Sequence, residues 1–287
     1  MQDNGLLKFY RYRAYREGFL DTKQLRLKEE SSSMFDSAVR CKSPTGSFYK
    51  KFRYYFPKDM ADAEILLSQV FSKAGLNSAI YIPAEDGKNK FLLCNDLTGE
   101  NTIRARDFHE IIAEQTKIET ASVTSFMAQP YSTGADIVKY FSQKALTQKV
   151  KTRILDSATF NSDRQDCNYF YTVNAQGVAD EVVLFDYERS GIESTNCIAR
   201  GQEVYVSYGY PNDFGEVLTR KGVVDEIKRN EFVASSVSLP QIAEEIGSVN
   251  VPEIALDISR TTGYVVEPRY VDLISKSMNE TAEMLMK

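Results

Sequence analysis

The chain has 287 residues, 43% of them hydrophobic and 26% charged, with a formal net charge of −5 that argues against a general nucleic-acid binder. That size permits one two-lobed domain or two small ones. A single histidine, His109, argues against a Ser-His-Asp triad or a multi-histidine metal site, and Cys41, Cys94, Cys167 and Cys197 lie too far apart for a zinc knuckle or disulfide framework.

Residues 6–16 mix aromatics with Arg and Lys, and residues 20–27 form a second amphipathic stretch. A basic, aromatic arm suits RNA or an acidic lipid surface, but two amphipathic elements of a small lobe account for the pattern more simply. Residues 29–33 are polar and Ser-rich and read as a loop. Residues 43–47, S-P-T-G-S, make a small-residue turn, and the run F-Y-K-K-F-R-Y-Y-F that follows is strongly β-prone. Residues 61–74 predict a helix, because Ile65, Leu66, Val70 and Phe71 recur at helical spacing and Gly75 supplies a C-terminal stop. Strands are expected at 79–83 and 90–94. Amphipathic helices are expected at 107–115 and 135–146, with residues 147–160 continuing helically. His109 lies in the helix-like R-A-R-D-F-H-E-I-I-A, where a surface or packing role fits better than a catalytic one. After residues 201–211, helical patterns cover 217–230, 239–247, 252–261 and 271–286. No stretch approaches the ~18 apolar residues of a membrane span, and the polar N-terminus does not read as a signal peptide, so a cytoplasmic protein is expected.

The chemistry concentrates in residues 161–191. Asp163 stands five positions before the amide Asn168, and Asp186 closes the apolar run 182–185. This order suits metal-dependent phosphoryl transfer: one Asp handles the acceptor hydroxyl, while an Asn and a second Asp hold Mg²⁺ against ATP phosphates. Mg²⁺ is a hard cation and takes oxygen ligands in preference to sulfur or imidazole. Taken alone, the same residues also read as a β-hairpin with polar turns and an incidental D-x-x-x-x-N.

Asp156, Asn161, Asp163, Arg164 and Asn168 stand position by position as in the N-x-D-R-H-x-x-N signature of HipA-like protein kinases, which segment 155–170 resembles. The segment also resembles, more loosely, the D-R-x-x-x-N loop of type II phosphatidylinositol 4-kinases. Gln165 departs from the usual His, which bears on the subfamily more than on the fold. The S-P-T-G turn and the strand after it are similar to the phosphate loop and lysine strand of the HipA-like kinases. It is no Walker A loop, since no G-K-[ST] follows.

The resemblance implies an α+β, two-lobed protein-kinase-like fold, with a small β-rich lobe over 1–95 and a larger helical lobe over 96–287. It implies ATP and Mg²⁺ as cofactors. Gly46 and Ser47 would approach the phosphates. Lys51 would hold them while paired with Glu64, and the backbone around Cys94 and Asp96 would receive adenine. Asp163 would act on the acceptor hydroxyl, Asn168 and Asp186 would hold metal, and Arg164 would support the loop. Lys50 and Lys51 alternate across a strand, so only one can face the nucleotide; the family's lysine-aromatic pattern favours Lys51 before Phe52. A Ser/Thr protein kinase is the first expectation, with a protein substrate. A kinase of lipids or small molecules and a non-catalytic kinase-like module are the alternatives. The clustered serines and threonine at 31–33, 43, 45 and 47 suggest inhibitory autophosphorylation of the phosphate loop.

Overall fold

The computed structural model describes residues 15–16, 18–30, 38–52, 56–87, 89–124, 136–161, 164, 166–187, 190, 205–207 and 217–287. The first part of the chain builds a seven-stranded sheet. Its strands are β1 (Tyr15–Arg16), β2 (Phe19–Asp21), β3 (Lys28–Glu29), β4 (Ala38–Ser43), β5 (Gly46–Lys51), β7 (Ile82–Glu85) and β8 (Lys90–Asn95), in the order β1-β2-β7-β8-β5-β4-β3. Pro44 and Thr45 are the two-residue turn between β4 and β5, since Ser43 pairs with Gly46 and the ladder runs on to Ala38 opposite Lys51. Period-2 alternation sorts the strand side chains. Phe48, Phe91 and Leu93 join Leu20, Leu25, Ile82 and Ala84 in a small core on one face, while Lys51, Leu92 and Cys94 turn to the other.

That other face receives helix α1 (Lys58–Lys73), which is buried almost all round, Asp62 and Glu64 included. Three residues earlier than the apolar period indicates, Pro57 precedes the first turn, where its fixed φ and missing N–H are tolerated. Beyond it, β6 (Asn77–Ser78) crosses to a second sheet, β6-β11-β10-β9, built from β9 (Thr102–Arg104), β10 (Tyr169–Val173) and β11 (Ala179–Leu184). The expected strand at 79–83 begins only at Ile82, in β7, while residues 79–81 follow β6 outside any strand.

The remainder is helical: α2 (Ala105–Thr116), α3 (Thr120–Thr124), α4 (Gln143–Ala158), then, after the β12 (Tyr205–Ser207) and β13 (Val217–Thr219) ribbon, α5 (Arg220–Arg229), α6 (Glu231–Ser236), α7 (Leu239–Gly247), α8 (Val251–Thr262) and α9 (Pro268–Met286). Two helical expectations are corrected. The helix expected at 135–146 stops before Phe141, because Tyr140 O accepts from Ala179 N and Ser142 N donates to Ala179 O, each at 2.8 Å. Ser142 then caps α4 afresh by accepting from Ala145 N. Residues 217–219 extend as β13 and pair with β12, so the helix expected at 217–230 begins only at Arg220. No helix among the described residues is long and apolar enough to cross a membrane.

Candidate active site

Lys51 ends β5 with its ammonium between α1 and the end of β11. Nζ donates to Glu64 Oε1 and, at 2.9 Å, to Asp186 Oδ1. Lys50 faces the opposite side of the sheet, where Glu29 at 3.3 Å and Asp86 at 3.5 Å receive it. The pleat alone separates the two lysines.

Glu64 is fully buried, and burial pushes its carboxyl up to about 7 even though Lys51 pulls the other way; nearby Asp186 adds to the rise. Its Oε2 lies near the Tyr187 backbone but makes no well-formed hydrogen bond. Asp186 holds its backbone in the left-handed region at φ 67°, which Asp tolerates better than most residues and which turns the chain sharply at the strand end. Its N–H donates to Tyr81 Oη at 3.4 Å, and its side chain is 27% exposed.

The loop between α4 and β10 is organised by Arg164. Its Nε and Nη2 donate to Asp156 at 3.2–3.3 Å, and Nη1 donates to Asn168 O at 3.2 Å and Phe185 O at 2.5 Å. Asn161 Nδ2 also donates to Asp156, at 2.8 Å. Burial raises the Asp156 carboxyl, opposed by Arg164 and Asn161; for Arg164, burial is the largest single influence and lowers the guanidinium, but the charge and hydrogen bonds of Asp156, with Tyr187 and Asp186, together outweigh it and raise it. One planar cation thereby joins the end of α4 to the residue preceding Asp186 and to Asn168, a job suited to Arg's fixed fork. Asn168 and Asp186 become neighbours through this bridge and through Phe185 N donating to Asn168 O at 3.4 Å.

The structure thus brings Lys51, Glu64, Arg164, Asn168 and Asp186 to one place. Asp163 and Gln165 lie outside the described residues. Gly46 and Ser47 are not brought there: they begin β5, five and four residues from Lys51, roughly 16 and 13 Å along a strand. The connection that meets the Lys51 end of β5 is instead the one between β3 and β4, since Ala38 pairs with Lys51; residues 31–37 of it lie outside the described residues. Ser47 O accepts from Asp96 N at 3.0 Å, and the Asp96 carboxylate is taken by Arg40 at 2.6 Å and by Thr98 N at 3.0 Å. The Asp96 amide and side chain are therefore committed within the protein. Cys94 is buried opposite Tyr49 in the ladder, and burial pushes its thiol up to about 12.

Several polar residues of this region carry no signal in the sequence. Lys149 stands in T-Q-K-V-K, a pattern typical of a surface helix, yet it is buried and donates to Tyr171 Oη at 3.1 Å. Burial pushes its ammonium down to about 7. His109 is fully buried, with Nε2 3.2 Å from Tyr171 Oη, and burial lowers its pKa well below the usual value. Among the described residues, no group of three or more His, Cys, Asp or Glu could hold a metal by itself.

No family model and no curated protein matches the sequence. Solved structures do. The Helicobacter pylori proinflammatory kinase CtkA aligns with TM-score 0.60 over 92% of this chain and 94% of its own, at 10% sequence identity. The chain has a protein-kinase-like fold. A chain of the Shewanella oneidensis HipA–HipB toxin–antitoxin complex with operator DNA aligns at TM-score 0.43 and 11% identity, over 88% of this chain and 64% of that one. A Ralstonia eutropha protein described as an aminoglycoside phosphotransferase aligns at TM-score 0.33 and 11% identity, over 98% of this chain and 96% of its own. α1 packs on the face of the seven-stranded sheet that bears Lys51, and Arg164 follows α4 on the way to β10.

Proposed function

We propose that this chain is an ATP- and Mg²⁺-dependent phosphotransferase, and more finely a Ser/Thr protein kinase of the HipA-like kind. The observation that carries the reading is the convergence of Lys51, Glu64 and Asp186 in one ion-paired group, with Asn168 bridged to the end of β11 by Arg164. The nucleotide would be handled mainly by residues 1–95 and the acceptor by residues 96–287.

The donor set fits Mg²⁺. Asp186 and the Asn168 amide both offer hard oxygen, and Mg²⁺ commonly takes only one or two protein ligands, completing its octahedron with phosphates and water. When bound, Mg²⁺ would neutralise charge on the transferring phosphoryl group. Lys51 would take part of the phosphate charge, and Glu64 would keep that lysine from collapsing wholly onto Asp186. Asp163 would accept the proton of the attacking hydroxyl as the γ-phosphorus bonds to the acceptor oxygen and the bridging bond to ADP breaks. Catalysis of this kind is positioning plus charge stabilisation, so the rigidity of the Arg164 bridge matters as much as the ligands.

The test is transfer of labelled γ-phosphate from ATP to protein, lipid and sugar pools, with Asp186→Asn as control. Labelled Ser or Thr in the protein pool, lost in Asp186→Asn while the far-ultraviolet spectrum is kept, is the expected result. Label confined to lipid or sugar would overturn the protein-kinase assignment. Full activity in Asp186→Asn would remove that residue from the metal site.

A further inference from the structure

Asp166 lies between Arg164 and Asn168 and is 4% exposed, an unfavourable place for a carboxylate unless its bonds are used. Both of its polar ends are taken by the same residue. Arg106 N donates to Asp166 O at 3.0 Å, and Arg106 Nε donates to Asp166 Oδ1 at 3.3 Å. His109 Nδ1 lies 4.0 Å from Oδ2, one helical turn further along α2.

The sequence of α2 explains the arrangement. Arg106 is its second residue, so its N–H is among the first four, which have no acceptor inside the helix. Arg104 holds the N-cap position and provides no side-chain cap. The Asp166 carbonyl supplies the missing acceptor, and its carboxylate sits where the helix dipole and the guanidinium both favour negative charge. Behind α2, Phe108 packs on Phe141 and Tyr171 at centroid distances of 5.6 and 5.1 Å, so the helix is itself a firm base.

We propose that Asp166 is a positioning residue: it fastens the loop to the first turn of α2 and thereby sets where Asn168 stands relative to Asp186. Arg164 pins one side of the loop to α4 and Asp166 pins the other to α2, leaving Asn168 two residues beyond a fixed point. The functional half of this inference rests on the phosphotransferase reading. The anchoring half does not.

The experiment compares wild type with Asp166→Ala, Asp166→Asn, Arg106→Ala and Arg106→Lys by hydrogen exchange and by Mg²⁺ titration of ATP turnover. In Asp166→Ala, amides of residues 161–170 should exchange faster while those of α4 and β11 stay protected. The Mg²⁺ concentration for half-maximal turnover should rise about 10–100-fold, the usual effect of losing an outer support of a metal ligand. The ATP KM at saturating Mg²⁺ should change little. Arg106→Ala should move both readouts in the same direction, since the backbone bond survives in either variant and the same side-chain contact is lost, and Arg106→Lys should recover part of the loss. The double variant Arg106→Ala/Asp166→Ala should be no worse than Asp166→Ala alone, because the two act through one contact. If Asp166→Ala fails to fold, Asp166→Asn, which keeps the volume but removes the charge that pairs with Arg106, supplies the comparison, with the same direction and a smaller size expected. Wild-type exchange and Mg²⁺ dependence in a folded Asp166 variant would overturn the inference. A wild type without Mg²⁺-dependent turnover would instead sink the phosphotransferase reading, and the exchange data would still decide the anchor.

Discussion

Glu64 makes the stability of this fold depend on pH in a direction opposite to that of most paired carboxylates. Its carboxyl is pushed from an ordinary 4.5 up to about 7 by burial. Between those values the folded chain holds a proton that the unfolded chain has released, so the contribution of Glu64 is fully present below pH 4.5 and is lost as pH rises through 7. Such a rise corresponds to roughly 3 kcal/mol in total, most of which falls between pH 5 and pH 8. Glu64→Gln keeps the shape and removes the proton equilibrium. Urea unfolding of both proteins at pH 5, 6, 7 and 8 isolates the effect of this site, because titrating groups remote from Glu64 cancel in the difference. The variant should gain on the wild type by roughly 2–3 kcal/mol over that range. A difference that stays flat, or that moves in favour of the wild type as pH rises, would show that Glu64 is held as a stable carboxylate. The argument from burial would then be refuted.

The lysine pair gives a second test: Lys51→Ala should lower ATP turnover on the order of 100-fold, as expected for loss of a charge-stabilising group, while Lys50→Ala should act mainly on stability through Glu29 and Asp86. The reverse ranking would place the nucleotide on the other face of the sheet. The hairpin gives a third. A negative charge at Ser47, roughly 13 Å from Lys51 along β5, or at Ser43, which ends β4 opposite Gly46 at the far end of β5, interacts through water by only about 0.3 kcal/mol per unit charge, before screening. Ser43→Glu and Ser47→Glu should therefore change the ATP KM less than about twofold. A large rise in KM would mean that the hairpin closes over the phosphates after all.

Local patterns that report one face of one element were legible in the sequence. The period of Ile65, Leu66, Val70 and Phe71 announced α1, and strand alternation announced that Lys50 and Lys51 part company. The order of Asp156, Asn161, Arg164, Asn168 and Asp186 announced a shared site through family resemblance, and the chain does gather its described members. What the sequence could not supply was strand order. The turn S-P-T-G carries the composition of a phosphate loop, yet only the pairing of Ser43 with Gly46 and of Lys51 with Ala38 shows which end of the hairpin it occupies. Asp166, Lys149 and the burial of His109, whose packing role was one of two readings, were illegible for a different reason. Each is polar within a pattern that reads as surface, and each is buried because a partner from a distant segment meets it. The β-branched start of the expected helix at 217 was overridden in the same way, by a strand partner at 205–207.

The buried acids of α1 explain why Glu64 can stay beside Lys51 at all. Isolated, a fully buried carboxylate would swing its helix outward toward water or keep its proton. Two residues before it on the same helix, Asp62 accepts from Tyr264 Oη at 2.8 Å and from Glu267 N at 2.9 Å, and also pairs with Lys58. At the far end, Lys151 Nζ donates to Ala74 O at 2.9 Å and joins Glu245. The chain leaving α1 then pairs in parallel with β11, Ser78 opposite Leu184, and Ser78 Oγ meets Tyr187 Oη at 2.7 Å. An outward movement of α1 would strand Asp62, open the Lys151 contact and pull β6 from the strand that carries Asp186. Leaving even one such buried group unpaired costs roughly 1–3 kcal/mol, more if it is charged, so the three anchors together outweigh the relief that Glu64 would gain from solvent. The strain at Glu64 is held in place by its neighbours, and the cation it shares with Asp186 is held with it.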